Sequence, residues 1–456
     1  MITPTDASGP ALSARASLAV GAMRVTNWLS RSLGRGRGTV AGGRVGLAVD
    51  PTLLATLARG RRVALVTGTN GKTTTTRLLV AAITGPGAPA VVSNGTGANM
   101  PAGHVAALAR APAGASAVLE VDEGYLARLI EETSPRVVVL LNLSRDQLDR
   151  ISEVRMMVER WRTALGHLRS PADPGDPGTV VVANADDPMV AWAAMTAPDV
   201  RWVGAGQVWH LDAVGCPSCG GRIVFDDAGG WACDRCSFAR PERRAWLDGA
   251  ELVLADGGRL TVSLGLPGQF NRANAAMVAL AAPVMGDGPD GRTPAPATVI
   301  GDVLARVAGV VQVAGRFSSM VRHGRPVRLL LAKNPAGWTA IFDLLDEEPG
   351  TGLPVVLSIN ARTADGFDTS WLWDVPFERL AGRPVVATGE RRLDLAVRLR
   401  YAGVEATVVA DPLAAVDAAV DAAVDRAVDA AAAGGGADSV DFVGNYTAFA
   451  DLRARA

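Results

Sequence analysis

The sequence predicts an α/β protein built on parallel β-sheets, and three features of the chain support this prediction. Between residues 62 and 188, short apolar runs rich in Val and Leu alternate with helical patterns. These runs are continuously apolar, as strands buried on both faces of a parallel sheet are. A second alternation of the same kind follows residue 320 and ends in a short run near Val440. With 456 residues and 48% hydrophobic content, the chain can form two or three domains with their own cores.

The first apolar run, Val63 to Thr67, ends in a glycine-rich turn that opens a helix, which predicts a phosphate-binding loop. Its glycines let backbone N–H groups face an anion at a helix N-terminus, and its lysine can reach the outer phosphates. The strict pattern has a further glycine where Val66 stands, so this is a shortened variant. The predicted nucleotide-binding residues are Gly68, Thr69, Asn70, Gly71, Lys72, Thr73 and Thr74.

Lysine usage supports a specific role for the loop lysine. The chain holds 43 arginines but only two lysines, Lys72 and Lys333. A lysine is a compact point charge on a flexible stem, which a planar guanidinium does not imitate. We therefore expect Lys72 to bind phosphate, and the role of Lys333 stays open.

Polar side chains cluster where the predicted strands end, the edge at which ligands bind in such sheets. Each acid there is either a helix cap or a metal ligand, and the pattern alone does not decide between them. We expect Glu120 to hold Mg²⁺, with the Thr73 hydroxyl as a second ligand. The strand-end groups are Glu120, Asp122, Asn142, Arg145, Asp146, Asp149, Asn184, Asp186 and Asp187.

Two CxxC pairs thirteen residues apart interrupt the α/β pattern. Their spacing predicts a closed tetrahedral zinc site on a small ribbon inserted at residues 205–249. Four thiolates leave no open position for a catalytic water, so the ion is expected to be structural. A pair of disulfides is the alternative. The predicted ligands are Cys216, Cys219, Cys233 and Cys236.

Charge and hydropathy limit the partners and the compartment. A net charge of −1 argues against a broad nucleic-acid-binding face, and no apolar run is long enough to span a membrane. We expect a cytoplasmic protein. Residues 7–49 carry six arginines and no acid, which fits a membrane-surface helix, a transit peptide, or a helix docked on the next domain before a glycine-rich link at residues 34–46. The sequence is compatible with association of this segment with the inner face of the membrane.

Several motifs together resemble the central ATP-binding domain of the Mur ligases and folylpolyglutamate synthases. They are GTNGKTT, NLSRDQLDR, NADDP, GQFNRANA and the GR at residues 315–316. The zinc insertion, LAKNPAGW and ADGFDTSWLWD further resemble the MurT family, synthetase subunits that amidate the D-glutamate of lipid II in peptidoglycan synthesis. The resemblance implies an N-terminal segment (1–50), a Mur-ligase-type ATP-binding domain (51–314) carrying the zinc ribbon, and a Rossmann-like α/β domain (315–456).

The resemblance also implies a reaction and roles for named residues. ATP would phosphorylate a carboxylate, and ammonia would attack the acyl phosphate. Lys72 would bind phosphate, Thr73 and Glu120 would hold Mg²⁺, and Asn274 and Arg316 would contact ATP. Asp368 would be a catalytic acid, with Asp365 the next candidate.

The chain departs from the Mur ligase pattern in three places. It has no lysine to spare for the carbamoylated residue that holds a second metal in many Mur ligases. It reads Lys333-Asn334-Pro335 where they have His-Asn-Pro, and because few residues precede the strand of the phosphate loop, we expect no separate N-terminal substrate domain of the Mur ligase type. The role that the family gives to this loop is therefore not transferred to Lys333.

All four cysteines are assigned to zinc, so none is left to attack glutamine. The resemblance implies a partner, a class I glutamine amidotransferase resembling GatD, that supplies ammonia to lipid II at the membrane surface. The sequence leaves two alternative functions. One is an amino-acid-adding ligase of the Mur or folylpolyglutamate type, and the other is a zinc-ribbon ATPase acting on nucleic acid.

Overall fold

The computed structural model describes residues 12–32, 39–95, 98–145, 151–169, 178–206, 209–226, 229–286, 295–311, 317–347, 353–431 and 440–455. The α-helices in these ranges are α1 (Ala14–Ser32), α2 (Thr39–Val49), α3 (Leu53–Ala58), α4 (Lys72–Ile83), α5 (Pro101–Leu108), α6 (Leu126–Thr133), α7 (Ile151–Gly166), α8 (Pro188–Ala194), α9 (Gln269–Met285), α10 (Ala297–Ala308), α11 (Pro335–Glu347), α12 (Arg392–Tyr401), α13 (Pro412–Ala431) and α14 (Tyr446–Arg455).

The strands in the same ranges are β1 (Val63–Thr67), β2 (Val91–Ser93), β3 (Ser116–Glu120), β4 (Val137–Leu140), β5 (Val180–Asn184), β6 (Val200–Gly204), β7 (Ile223–Phe225), β8 (Trp231–Cys233), β9 (Ala245–Asp248), β10 (Glu251–Leu254), β11 (Arg259–Thr261), β12 (Phe317–Arg322), β13 (Arg325–Leu331), β14 (Val355–Ser358), β15 (Val385–Thr388), β16 (Ala406–Val408) and β17 (Val440–Gly444).

The larger sheet has nine strands in the order β11-β10-β9-β6-β5-β4-β1-β3-β2. The strands from β2 to β9 along this order are parallel, and β10 and β11 add an antiparallel edge. One face packs on α3, α5, α6, α7 and α8, and the other packs on α4, α9 and α10. The strands at its centre are fully buried, which explains why their sequences are continuously apolar.

The smaller sheet has six strands in the order β12-β13-β17-β14-β15-β16. All of its pairings are parallel except the β12–β13 hairpin. Its two faces bury separate apolar clusters, one beneath α11 and α12 and the other beneath α13 and α14. The predicted α/β class, with two mainly parallel sheets, is confirmed.

The four-cysteine ribbon is a small separate hairpin of β7 and β8. It lies between β6 and β9, which pair with each other in the larger sheet. β9 therefore belongs to the main sheet, although it falls within the predicted insertion at residues 205–249. The predicted division at residue 315 lies outside the described residues.

The N-terminal helices pack onto the larger sheet's helical layer. Residues 39–46, which the sequence suggested were part of a flexible link, lie in α2. Their glycines serve close packing, because a Cβ on Gly43 would stand 1.9 Å from the Ala102 carbonyl oxygen, and one on Gly46 would stand 2.5 Å from the Met23 sulfur. The expectation of a link was wrong here, since composition does not distinguish a flexible glycine from one that admits a neighbouring helix.

Across the ranges given above, none of the helices has both the length and the apolar character needed to cross a bilayer.

Candidate functional site

The predicted phosphate loop joins β1 to α4 at the carboxyl edge of the larger sheet. Gly68 and Gly71 have φ angles of +139° and +87°, which side-chain-bearing residues rarely adopt. A Cβ on Gly68 would also stand 2.9 Å from the backbone of Asn142. The conformation therefore requires both glycines, as the sequence motif predicts.

The end of β4 braces this loop from the side. The Asn142 amide oxygen accepts from the Asn70 backbone N–H at 2.9 Å, and its nitrogen donates to the Asn70 carbonyl at 3.1 Å. The Thr69 hydroxyl donates to the Ser144 carbonyl at 2.9 Å and accepts from the Ser144 N–H at 3.0 Å. Asn142 thus acts as a support for the loop.

Lys72 is buried, and its ammonium group is held inside the loop. The Nζ atom donates to the Gly68 carbonyl at 2.6 Å and lies 2.9 Å from Oε1 of Glu123, with the Thr69 carbonyl at 3.3 Å. A buried ammonium needs such partners, because desolvation without them is costly. Glu123 was not predicted. It lies three residues beyond Glu120, and only the folding of that turn against the loop brings it to Lys72.

Glu120 lies at the end of β3, beside Val66 of β1, and is 2% exposed. Its backbone is fixed on both sides. Asn94 accepts from its N–H at 2.8 Å and donates to its carbonyl at 2.8 Å, and His104 Nε2 donates to that carbonyl at 2.7 Å. The carboxylate oxygen Oε2 is buried, and in the described structure it accepts no hydrogen bond.

An unsatisfied buried carboxylate oxygen on a rigidly held backbone fits a cation ligand. Thr73, in the first turn of α4, is the hydroxyl that the motif supplies for the same ion. Sequence reasoning missed Asn94, although it follows β2 in the same way that Asn142 follows β4. Burial lowers the pKa of His104 to about 4, so its ring is neutral at physiological pH.

Several of the other strand-end acids accept hydrogen bonds from backbone N–H groups, either at the start of a helix or from a neighbouring segment. Asp122 accepts from the Gly124 N–H at 3.1 Å. Asp187 caps α8 through the N–H groups of Met189 and Val190 and accepts a third bond from Leu143, while burial raises its pKa to about 6. Predicted groups Asp146 and Asp149 lie outside the described residues.

A cavity of about 240 Å³ opens beside the loop, between the larger sheet and the smaller one. It is mostly apolar, with amides and one lysine around its wall, a composition suited to a nucleoside. Contributors from the loop and the larger unit are Asn70, Gly71, Thr74, Asn142, Asn184, Gly206, Trp209, Phe270 and Asn274; contributors from the smaller unit include Phe317, Leu331, Lys333, Gly337 and Asp343.

Asn274 and Arg316 were predicted to contact the nucleotide, and the structure describes only Asn274. Asn274, in the second turn of α9, lies against the loop, and its Oδ1 is 2.6 Å from where a Cβ on Gly71 would stand. Asn271, considered beside it, instead donates to the Pro267 carbonyl at 2.6 Å. Arg316 lies outside the described residues.

Polar contacts join the two sheets next to this cavity. The Asn70 and Asn334 side chains exchange hydrogen bonds of 3.2 and 3.3 Å. Arg145, just after the loop-bracing segment, lies 3.6 Å from Asp374 of the smaller unit and pairs with Asp212 at 2.7 Å. The smaller unit therefore completes the candidate site.

Asp368 and Asp365 lie in one loop of the smaller unit but have different surroundings. Asp368 is exposed, and hydrogen bonds from the Ser370 backbone N–H (2.8 Å) and hydroxyl hold the pKa of its carboxyl below the usual range. Asp365 is 7% exposed and accepts from the Thr447 N–H at 2.9 Å and from the Thr447 hydroxyl. Asp365 thus fixes the loop internally, while Asp368 faces outward.

The four cysteines gather as the spacing predicts, with all four sulfurs within 4.8 Å of one another. The two contacts across the cluster, Cys216 to Cys236 and Cys219 to Cys233, are 3.8 and 3.5 Å. Sulfurs bound at about 2.3 Å to one tetrahedral ion stand about 3.8 Å apart, whereas a disulfide bond is about 2.05 Å. The donor set and spacing fit zinc and exclude disulfides within the cluster.

The ribbon packs against the wall of the cavity. Trp231 donates to the Ala185 carbonyl at 3.0 Å, and Arg240 pairs with Asp186 at 3.3 Å. Asp186 in turn accepts from the N–H of Gly206, a cavity residue, at 2.7 Å. The four-cysteine ribbon thus supports the segment after β5 through these contacts.

Comparisons with known proteins agree with this geometry. Residues 66–213 match the Mur ligase middle domain, and residues 331–449 match the MurT ligase C-terminal domain. The chain is 28% identical over 403 residues to the lipid II isoglutaminyl synthase (glutamine-hydrolyzing) subunit MurT of Staphylococcus aureus strain COL, covering 84% of this chain and 87% of that protein. It is 29% identical over 405 residues to the Streptococcus pneumoniae MurT subunit, covering 82% and 85%.

Solved structures share the fold at lower identity. A pseudomurein peptide ligase type C from Methanothermus fervidus superposes with a TM-score of 0.58 at 19% identity, covering 87% of this chain and 79% of that one. Folylpolyglutamate synthase from Mycobacterium tuberculosis, complexed with ADP and AMPPCP, gives 0.56 at 18% identity, covering 95% and 98%.

Proposed function

Because the chain belongs to the MurT family, we propose that it is the synthetase subunit of a lipid II isoglutaminyl synthase. It would use ATP to convert the D-glutamate α-carboxylate of the lipid II stem peptide to D-isoglutamine. The observation that carries the proposal is one site built by both units, with a phosphate loop and a nucleoside-sized cavity completed by the MurT-type C-terminal region.

ATP is proposed to bind with its phosphates on the loop and its nucleoside in the cavity. Backbone N–H groups at the start of α4 face the phosphates, and Lys72 would exchange its contact with Glu123 for a phosphate oxygen. Asn274 would position the nucleotide beside Gly71.

Glu120 and Thr73 are the residues proposed to hold Mg²⁺, which would neutralise phosphate charge when bound. Asn94 and His104 would keep the Glu120 backbone in place. Since the His104 ring is neutral and its Nε2 proton is committed to a carbonyl, it acts here as a fixed donor.

The proposed chemistry has two steps. A carboxylate oxygen of D-glutamate attacks the γ-phosphorus of ATP, and the bond to ADP breaks to leave an acyl phosphate. The nitrogen lone pair of ammonia then attacks the acyl carbon, phosphate leaves, and nitrogen loses a proton to give the amide. Lys72 would stabilise charge on the transferring phosphoryl group, an effect commonly worth several kcal/mol.

Ammonia is proposed to come from a glutaminase partner resembling GatD, a class I glutamine amidotransferase. The chain has four cysteines, and all of them lie in the metal cluster, so no thiol is left to attack glutamine. Exposed apolar side chains lie in the loop that carries Asp368 and on α12, where Tyr401 contacts Trp373 of that loop, and they suit a protein interface. They are Phe367, Trp373, Leu393, Val397 and Tyr401.

Asp368 would act at this interface by orienting a group of the partner. A carboxyl with a lowered pKa is a weak base, and ammonium is a far weaker acid than any carboxylic acid. Proton removal from ammonium by Asp368 is therefore disfavoured. Holding a histidine of the partner in one tautomer is the role that its charge and exposure support.

The proposal is tested by following ADP release and product mass with lipid II as substrate. The purified chain is expected to amidate lipid II with ammonium, to fail with glutamine, and to gain glutamine use only when the glutaminase is added. Faster turnover with an amino acid than with ammonium would show an amino-acid-adding ligase instead. Glutamate release from glutamine by the chain alone would contradict the two-subunit reading.

A further inference from the structure

Helix α1 carries a second apolar face that no other described part of the chain covers. Its inner face, with Ala16, Ala19, Val20 and Met23, packs on the helical layer beside α3 and is buried. On its outer face Leu18, Val25, Trp28 and Leu29 are 67%, 58%, 62% and 46% exposed. A helix that only docks on its own domain would be polar on this side.

The outer residues form one stripe. Leu18, Val25 and Leu29 are separated by seven and four residues, so they lie on one side of a 3.6-residue helix, and Trp28 flanks them. The rotation of α1 is fixed by its neighbour, because Gly42 and Gly46 of α2 closely approach Asn27 and Met23. The stripe is therefore held outward by the packing of the inner face.

Charge complements the stripe. Arg15 lies on one flank, and Arg24 and Arg31 lie on the other, all exposed, and α1 contains no acidic residue. Arg44, which is exposed on the adjacent α2, adds another positive charge. Long arginine side chains can place their charge at lipid phosphates while an apolar row enters the acyl boundary, and tryptophan favours that boundary.

We propose that α1 docks the protein on an anionic lipid bilayer, with Leu18, Val25, Trp28 and Leu29 entering the interface and the arginines contacting lipid phosphates. The face suits a bilayer better than nucleic acid, because phosphate-backbone binding does not use an exposed aliphatic row. This inference does not depend on the proposed reaction, since membrane binding is measured without substrate. It would hold the catalytic site close to any lipid-linked substrate.

The test is flotation of the full chain with vesicles of phosphatidylcholine, with and without phosphatidylglycerol, at low and high salt. The wild-type chain should float with the anionic vesicles and release as salt rises. Each arginine near an anionic surface is worth about five-fold in partitioning, so Arg24→Gln with Arg31→Gln should weaken binding about 25-fold. Leu18→Gln, Val25→Gln and Leu29→Gln together should abolish flotation.

A matched control replaces three exposed apolar residues elsewhere, Met156→Gln, Val224→Gln and Val321→Gln, and should float like the wild type. Unchanged zinc content and melting temperature would show that the α1 variants are folded. The proposal is overturned if the wild-type chain fails to float, if neutral vesicles bind it equally well, or if the α1 triple variant still floats. Sedimentation of the wild type as a dimer that the triple variant disperses would assign the face to a second copy instead.

Discussion

Gly71→Ala tests whether the loop and α9 form one nucleotide site. Gly71 precedes α4 with φ +87°, where an alanine costs about 1–2 kcal/mol. The new methyl group would also stand 2.6 Å from Oδ1 of Asn274, which is 7% exposed and must move. If Asn274 bonds the nucleotide, losing a bond to a charged group costs about 1.5–3 kcal/mol, about ten-fold to more than a hundred-fold in affinity.

Gly60→Ala is the matched control. Gly60 has φ +74° and open space around its Cβ position, and it precedes β1 at the opposite end of the strand from the loop. Both variants should lower the melting temperature by a few degrees because they share the backbone strain, and Gly71→Ala should lower it further because its methyl group displaces Asn274. Only Gly71→Ala should weaken ATP and ADP binding, which is measured by titration calorimetry.

Adding Asn274→Ala separates the two causes. The double variant removes the close contact, so its affinity should equal that of Asn274→Ala alone, within the error of the cycle. Wild-type affinity in Gly71→Ala, or an equal loss of affinity in Gly60→Ala, would refute the placement of the nucleotide against Asn274.

Four further predictions concern the loop lysine, the outward acid, the ribbon and the buried histidine. Lys72→Ala should abolish ATP turnover. Lys72→Arg should also largely abolish it, because a guanidinium cannot replace the compact charge between the Gly68 carbonyl and Glu123. Full activity of Lys72→Arg in a turnover assay would contradict this. Asp368→Asn should leave melting temperature and ATP binding intact and strongly lower glutamine-dependent amidation, and near-normal amidation would place the acid elsewhere. Cys219→Ser should lower thermal stability and reduce metal from about one zinc per chain, measured by mass spectrometry; retained stability after metal is stripped would refute a structural ion. Burial lowers the pKa of His104 from 6.5 to about 4, so as the pH drops the ring is protonated in the unfolded chain before it is protonated in the folded one. The free energy of unfolding should therefore fall by up to about 3 kcal/mol between about pH 6.5 and pH 4. His104→Gln should remove that part of the slope in denaturation curves, and an unchanged slope would show that the ring titrates normally.

The parts predicted from sequence are those whose cause is local. β1, the loop and α4 follow from an apolar run, two glycines and a helix start within twenty residues, and the four cysteines follow from ligand spacing. The buried central strands of both sheets, such as β5 and β14, were recognised because full burial requires continuous apolar runs, whereas β6, β9, β10, β11 and β12 were not predicted. None of these inferences needs to know which strand lies beside which.

The parts that were missed depend on contacts between distant segments. Glu123 meets Lys72 across 51 residues, and Asn334 meets Asn70 across 264. A strand-end acid is equally compatible with a cap and a ligand until its neighbours are known. The structure separates Asp187, which accepts three backbone N–H bonds, from Glu120, whose Oε2 accepts none. Asp365, the second candidate for the catalytic acid, is committed to Thr447, which no sequence pattern revealed.

A chain of contacts beside the cavity joins the phosphate loop to the outward loop of the smaller unit. The Thr69 hydroxyl bonds Ser144, the next residue is Arg145, and Arg145 reaches Asp374 at the end of the loop that carries Asp368. The loop that holds Lys72 is therefore linked through Ser144 and Arg145 to the segment that ends at Asp374. Because Asp374 is only partly buried, the 3.6 Å ion pair is worth about 1 kcal/mol at most, enough to bias the position of the outward loop but too little to lock it.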